Sequence, residues 1–432
     1  GLKRQMTLEY LKKAEQRPEE DISSVRMLVS EILDGVKKEG EKAVRYYSEK
    51  FDRWNPASFR LTREEIADAE KKVPEGLKKD ILFLHEQVEN FAKEQKKTLI
   101  DFEKETSPGV FLGQKYLPIQ SLGVYVPGGR YTLIASSQMS IVPAKVAGVG
   151  RIAACVPVKN SVMNPAVIYA IQAAGADEIF SIGGAQAIAA MAFGLGDALK
   201  PVDMIAGPGN KFVLEAKRQV FGRVGIDLLA GPTEIGIIAD DSADPRIVAA
   251  DIIGQAEHDP DSPQFLVTLS RELGKKVMLE IESQLVDLPT AEVARAAWSR
   301  NGEVIVASSH EEAAIVSDNY APEHLEVQTR NLDWFFEHLH NYGSLFLGEE
   351  STVAYSDKAI GTNHILPTGR AARYTGGLWI GKYMKNVTYQ RLDRKGSLRI
   401  APYAARIAHA EGMIAHERSA KMRINKYSEL SC

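Results

Sequence analysis

The chain has 432 residues, more than one hydrophobic core usually supports, so two or more domains are expected. Apolar residues make up 44% and charged residues 25%, and the net charge of −4 is spread along the chain. That mixture excludes a disordered or fibrous protein, and the lack of a basic stripe argues against a nucleic-acid partner. The two cysteines, Cys155 and Cys432, are too few for a disulfide framework or a thiolate metal site. No stretch approaches the roughly 18 uninterrupted apolar residues of a membrane span, and residues 1–20 lack the apolar segment of a secretion signal. A cytoplasmic location with no membrane partner is therefore expected.

Residues 21–102 read as helical. Val25, Leu28, Val29 and Ile32 recur at helical spacing, as do Ile81, Leu84, Val88 and Phe91, with Lys and Glu between them. This is the pattern of a solvated helical layer. From Gly109 the texture changes. Leu122-Gly-Val-Tyr-Val-Pro-Gly-Gly reads as a strand ending in a turn before a helix over 136–148. Arg151-Ile-Ala-Ala-Cys reads as a buried strand before a helix over 164–175. Glu178-Ile-Phe-Ser-Ile-Gly-Gly is a strand running into a glycine pair before a helix over 185–194, and Asp203-Met-Ile-Ala-Gly-Pro-Gly-Asn repeats the device before a helix over 212–220. A second run has strands over 235–239, 264–269, 303–307 and 344–347, with helices over 245–255 and 272–285. Short apolar strands alternating with helices imply βαβ units and parallel sheets, hence an α/β fold. Ligands in such sheets sit beyond the carboxyl ends of the strands, where these Gly-rich turns lie. The tail from about 382 is basic and reads as a small helical appendage.

Several motifs carry chemistry. Gly148-Val-Gly150-Arg-Ile-Ala153 fits a loose dinucleotide pattern but precedes a strand instead of following one, so a helix-to-strand turn is the better reading. Better cofactor candidates are Tyr125, Gln186 in Gly183-Gly-Ala-Gln and Asn210 in Gly207-Pro-Gly-Asn, each where a strand ends and a helix begins. In Gln255-Ala-Glu-His258, residues three apart share a helix face, so an amide oxygen and an imidazole could reach one divalent metal. Alone, such a pair is usually surface or cap chemistry. Ala321-Pro-Glu323-His324-Leu-Glu326 places a carboxylate and an imidazole side by side, both able to move protons near neutral pH; the bland reading is a capped helix start. Asp357-Lys-Ala-Ile-Gly-Thr-Asn-His364 reads as a polar loop between apolar segments. Glu411-Gly-Met-Ile-Ala-His416 puts two more polar side chains on neighbouring turns of the tail helix.

Taken together, these motifs resemble the histidinol dehydrogenase family over nearly the whole chain. Seven segments in the family's order carry the resemblance, among them Gly123-Val-Tyr-Val-Pro-Gly-Gly, Asp227-Leu-Leu-Ala-Gly-Pro-Thr-Glu and Gly361-Thr-Asn-His-Ile-Leu-Pro-Thr. The resemblance implies one zinc ion per site, held by Gln255, His258 and Asp357 of one subunit and by His416 from its partner's tail. It implies Glu323 and His324 as the acid/base pair, Tyr125, Gln186 and Asn210 as NAD contacts, and Thr233, His364 and Glu411 as substrate contacts. Thr233 stands where the family more often has serine. The implied fold is a homodimer of two incomplete Rossmann-like domains with swapped tails. Residues 1–20 would form an arm, 21–120 with 235–381 the metal-bearing domain, 121–234 the NAD-side domain and 382–432 the donated tail. The implied reaction is NAD-linked oxidation of a primary alcohol through the aldehyde to the carboxylate.

For the substrate, the chain departs from the biosynthetic members, which usually carry an aromatic residue after the aspartate ligand where this chain has Lys358. Thr368-Gly-Arg370-Ala-Ala-Arg373-Tyr-Thr-Gly-Gly-Leu-Trp is similar to a subgroup of paralogues that oxidise 2,3-dihydroxypropane-1-sulfonate to sulfolactate. A sulfonate is a permanent anion that calls for Arg or Lys donors, and Lys358, Arg370 and Arg373 crowd this segment. Histidinol would instead call for carboxylates and a ring slot. A metal-binding homologue without turnover would lack an acid/base residue or a ligand, and none is missing.

Overall fold

The computed structural model describes residues 8–15, 22–128, 131, 133–158 and 162–429. Most of the arm expected over 1–20, Gly129 of the first strand-end turn, and Cys432 lie outside these residues. The chain divides into two compact units, one of residues 1–93 and 119–380, the other of 94–118 and 381–432. In chain order the strands are β1 Glu9–Lys12, β2 Phe102–Ser107, β3 Val110–Pro118, β4 Ser121–Tyr125, β5 Arg151–Cys155, β6 Glu178–Phe180, β7 Met204–Ala206, β8 Gly225–Ile226, β9 Ile235–Ala239, β10 Gln264–Thr268, β11 Gly302–Val306, β12 His324–Gln328, β13 Ser344–Leu347 and β14 Met384–Leu392.

The larger unit holds two sheets. One is parallel throughout, in the order β6-β5-β4-β7-β8. The other runs β1-β11-β10-β9-β12-β13 and is parallel except for β1 at its edge. β4 and β9 are buried at every residue, which is why they read as continuous apolar runs. Alternate residues of β9 serve different layers. Ile235, Ile237 and Ala239 pack with the helix Pro245–Ala256, whereas Ile238 joins the helix His310–Tyr320 on the other face. Asp244 caps the first of these helices by accepting from Arg246 N, with Pro245 at its first position. The expected helix-to-strand turn at Gly148 is present: Gly148 closes the helix Ile134–Ala147 in a left-handed conformation and β5 follows.

Four sequence expectations change. The segment after Pro322 is the buried strand β12, not a helix start. The helix carrying Gln255 stops at Ala256, so His258 lies in the turn beyond it and not on a shared helical face. Asp357 sits on a short helix, Val353–Lys358, and not in a loop. The tail begins with a strand, β14, and then forms two helices, with Glu411 capping Arg394–Ala410 and His416 in Ile414–Glu429.

In the smaller unit, β14, β3 and β2 form an antiparallel sheet. Its two helices pack through Ala401, Ala405 and Ala420, a sparse core. Tyr403, Ile407 and Met422 on the same helices are 61%, 59% and 70% exposed, so these helices leave much of their apolar surface uncovered. Among the described residues, no helix is long and apolar enough to cross a membrane.

Candidate active site

The acid/base candidates lie at the amino ends of β9 and β12, which run side by side with His324 opposite Ile235. Glu323 and His324 are 5% and 2% exposed. Thr233 and Glu234, just before β9, hold both. Thr233 Oγ1 donates to Glu323 Oε2 at 2.6 Å, and the Glu234 backbone N–H donates to the same oxygen at 2.9 Å. His324 Nδ1 lies 2.9 Å from the Glu234 carbonyl oxygen and 3.4 Å from Glu323 Oε2. Because a carbonyl can only accept, Nδ1 carries a proton there. The other ring nitrogen, Nε2, is buried with no hydrogen-bond partner among the described residues. In the neutral ring it is the proton-accepting atom.

Gln255, at the end of its helix, donates from Nε2 to Thr233 Oγ1 at 2.5 Å and lies 3.2 Å from His324 Nδ1. That commitment turns its amide nitrogen to Thr233 and leaves the amide oxygen as the atom that could face a ligand. His258 Nε2 is 3.9 Å from Asp357 Oδ2, and His364 Nδ1 is 3.6 Å from Asp357 Oδ1. Ser136 Oγ holds the far side of His364 at 3.2 Å from Nε2, and Tyr131 packs edge-on against His258. Side-chain contacts thus join seven of the expected residues in two groups, Thr233, Gln255, Glu323 and His324 in one and His258, Asp357 and His364 in the other. Among the described residues no group of three His, Cys, Asp or Glu stands ready for a metal ion. A metal here would need the Gln255 oxygen and a further donor.

The electrostatics separate the roles. Burial works against a charged His324 ring, but the Glu323 carboxylate, Asp357 and the Glu234 carbonyl outweigh it and push its pKa up to about 9. Burial lowers His258 and His364, which favours the neutral imidazole a metal requires. Burial would raise Asp357, yet His364, His324, Lys358 and His258 together hold it below the ordinary carboxylate range. Burial pushes Glu234 up to about 7.

The cofactor candidates lie at the carboxyl ends of the other sheet, as expected. Tyr125 ends β4, and its hydroxyl accepts from Gly184 N at 3.2 Å. Gln186 donates to Asp52 Oδ2 at 2.9 Å, and burial raises that carboxyl to about 6. Asn210 caps the helix Lys211–Val220 through its side-chain oxygen, leaving its amide nitrogen for a ligand. Gly207 has φ +114°, and a Cβ there would lie 2.1 Å from the Tyr125 carbonyl oxygen, so only glycine lets the two turns meet. A fully buried ion pair, Lys217 with Asp227, clamps this turn: Lys217 Nζ donates to the Gly207 carbonyl at 3.0 Å and Gly207 N to Asp227 at 2.8 Å. Lys217→Met strands the buried Asp227 charge and is expected to cost about 3–5 kcal/mol of stability, read by urea denaturation. An unchanged midpoint would show that the pair is dispensable.

The three cations differ. Lys358 Nζ is 3.5 Å from Asp357 Oδ2, while Arg373 is exposed and donates to the Arg370 carbonyl at 3.0 Å. Arg370 lines a cavity of about 430 Å³ with Glu234, Phe265, Tyr320 and Pro322. In the smaller unit, Glu411 and His416 line a separate cavity of about 1060 Å³ among tail residues. Sequence reasoning missed Glu234, Asp52, Ser136, Tyr131 and Lys217. Glu234 had a visible signal, a charged residue directly before an all-apolar strand.

Glycine turns at the strand ends of one parallel sheet, with a buried carboxylate–imidazole pair on another, give the parts of an α/β oxidoreductase. A histidinol dehydrogenase family model matches residues 15–424, and the chain belongs to that family. It is 52% identical over 425 residues to the sulfopropanediol 3-dehydrogenase of Ruegeria pomeroyi, covering 98% of this chain and 97% of the relative. A histidinol dehydrogenase homolog of Shouchella clausii is 50% identical over 423 residues, covering 98% of this chain and all of that protein. The crystal structure of histidinol dehydrogenase from Elizabethkingia anophelis superposes with a TM-score of 0.90 at 33% identity, over 96% of this chain and 95% of that one. The chain is accordingly a dehydrogenase with that family's mixed α/β fold.

Proposed function

We propose that the chain is a zinc-dependent, NAD-linked dehydrogenase that oxidises 2,3-dihydroxypropane-1-sulfonate to sulfolactate. The observation that carries the substrate is the 52% identity, over nearly the whole of both chains, to a sulfopropanediol 3-dehydrogenase. The cavity holding Arg370 adds a cation beside the acid/base edge. Residues 121–234 serve as the cofactor side, with Tyr125, Gln186 and Asn210 contacting NAD. Gln255, His258 and Asp357 hold the metal, and the partner subunit's His416 completes the ligand set in a tail-swapped homodimer. The uncovered apolar surface of the tail helices supports that arrangement, since a second subunit would bury it. Thr233, His364 and Glu411 contact substrate.

Bound zinc would hold and polarise the alcohol oxygen, and NAD would accept one hydride in each of two oxidations, alcohol to aldehyde and hydrated aldehyde to carboxylate. His324 Nε2 takes the hydroxyl proton, its tautomer set by the Glu234 carbonyl. Glu323, oriented by Thr233 and by the Glu234 N–H, activates the water that adds to the aldehyde.

A second reading, histidinol to histidine, draws on the family's name and on the Elizabethkingia structure. Turnover of both alcohols side by side, reading NADH, separates the two. The expected result is about two NADH per dihydroxypropanesulfonate, one for each hydride transferred. Activity on histidinol with none on the sulfonate would overturn the substrate, and loss of activity on zinc removal with recovery on re-addition checks the metal.

A further inference from the structure

We infer that Glu234 is the positioning residue of this site, linking the Arg370 turn to the acid/base pair. Its backbone engages both members, the N–H donating to Glu323 Oε2 and the carbonyl lying 2.9 Å from His324 Nδ1. Its side chain holds two further backbone groups. Oε1 accepts from Gly369 N at 2.7 Å, and Oε2 accepts from Glu323 N at 3.3 Å. Gly369 and Arg370 are consecutive left-handed residues, with φ +60° and +65°, and for arginine that conformation is strained. The turn is stitched to the same segment a second time, because Gly231 N donates to Thr368 Oγ1 at 2.6 Å. Residues 231–234 therefore hold the strained turn on one side and the proton-moving pair on the other.

The chemistry requires a double acceptor. A carboxylate can receive both the Gly369 and the Glu323 N–H groups, whereas a glutamine offers one oxygen and turns its NH₂ toward the other donor. Glu234→Gln thus breaks one of the two links and leaves a backbone N–H opposed by a donor. The consequence falls on Glu323 and His324, whose alignment is held by the peptide unit that this side chain anchors.

This inference rests on Glu323 and His324 being the acid/base pair, so the experiment includes both. Zinc-loaded full-length enzyme carrying Glu234→Gln, His324→Asn or both is assayed on the alcohol that the wild type turns over, with kcat normalised to NAD-binding sites. Glu234→Gln is expected to lower kcat about tenfold to a hundredfold, with KM for NAD and zinc content unchanged. In the His324→Asn background the same change is expected to cost clearly less, because the share of its effect that runs through His324 is already lost. Equal loss in both backgrounds would mean a general structural role and would overturn the inference. An unaffected Glu234→Gln enzyme alongside an impaired His324→Asn enzyme would overturn it too. If His324→Asn itself keeps kcat, the acid/base reading falls first. Glu234→Asp, which keeps the charge but not the reach, should show the same kcat-selective loss and serves if the glutamine variant does not fold.

Discussion

Replacing His324 by asparagine is expected to lower kcat by about 10²- to 10⁴-fold while NAD affinity and zinc content stay at wild-type levels. The size follows from what the ring does: Nε2 is buried without a partner among the described residues, and asparagine offers no comparable base. The same residue sets the pH dependence. A base must be unprotonated to act, and the Glu323 carboxylate, against the pull of burial, pushes the imidazole up to about 9. In wild type kcat/KM is therefore expected to rise with pH until about 9 and then level. Glu323→Gln removes the strongest raising influence, so in that variant the rise should come at lower pH even though overall activity falls with the lost water-activating group. A stopped-flow pH series on wild type and both variants checks this, and a kcat in His324→Asn within a few-fold of wild type would remove the ring from the chemistry.

Subunit mixing has an equally large expected effect. His416→Ala should inactivate both sites of a homodimer by removing a ligand, and Glu323→Ala should inactivate both by removing an acid/base group. In a heterodimer of the two, the proposed tail swap would carry the tail of the Glu323→Ala subunit to the body that keeps Glu323 and make one site whole. Heterodimers purified through two different tags are expected to recover about half of the wild-type activity per dimer from nearly inactive parents. Without tail exchange each site would keep one lesion, and the mixture would stay as inactive as its parents.

Much of the layout was legible because the relevant signals are local. The strands over 235–239 and 344–347 match β9 and β13 end to end, since apolar runs bounded by turn residues leave few alternatives. β12 was not legible. It reads His-Leu-Glu-Val-Gln, yet all five residues are buried. Glu326 is tolerated there because Val353 N donates to it and Asp251 and Gln328 surround it, with burial raising its pKa well above the ordinary range. Asp251 and Val353 lie 75 positions before and 27 after it, so no local pattern shows them. His258 misled for the opposite reason. Spacing suggested a helix face, but the helix stops at Ala256 and His258 lies in the turn beyond it. The carboxyl-end rule points to the glycine turns of one sheet, whereas the proposed acid/base pair lies at the amino ends of the other. Glu234 stands out as a charged residue before an apolar strand, but its hold on Glu323 and His324, made partly by its backbone, leaves no trace in residue type.

The contact between Gly207 and the Tyr125 carbonyl bears on how this protein can change. With no room for a Cβ and a backbone closed to other residues, two turns far apart in sequence are locked into one unit that tolerates no single substitution at its centre. At the proposed cofactor side, lineages or engineers seeking a different nucleotide would find that centre immovable. Adaptation has to enter through the rim, at Gln186, Asn210 and Asp52, where side chains can be exchanged without parting the backbones.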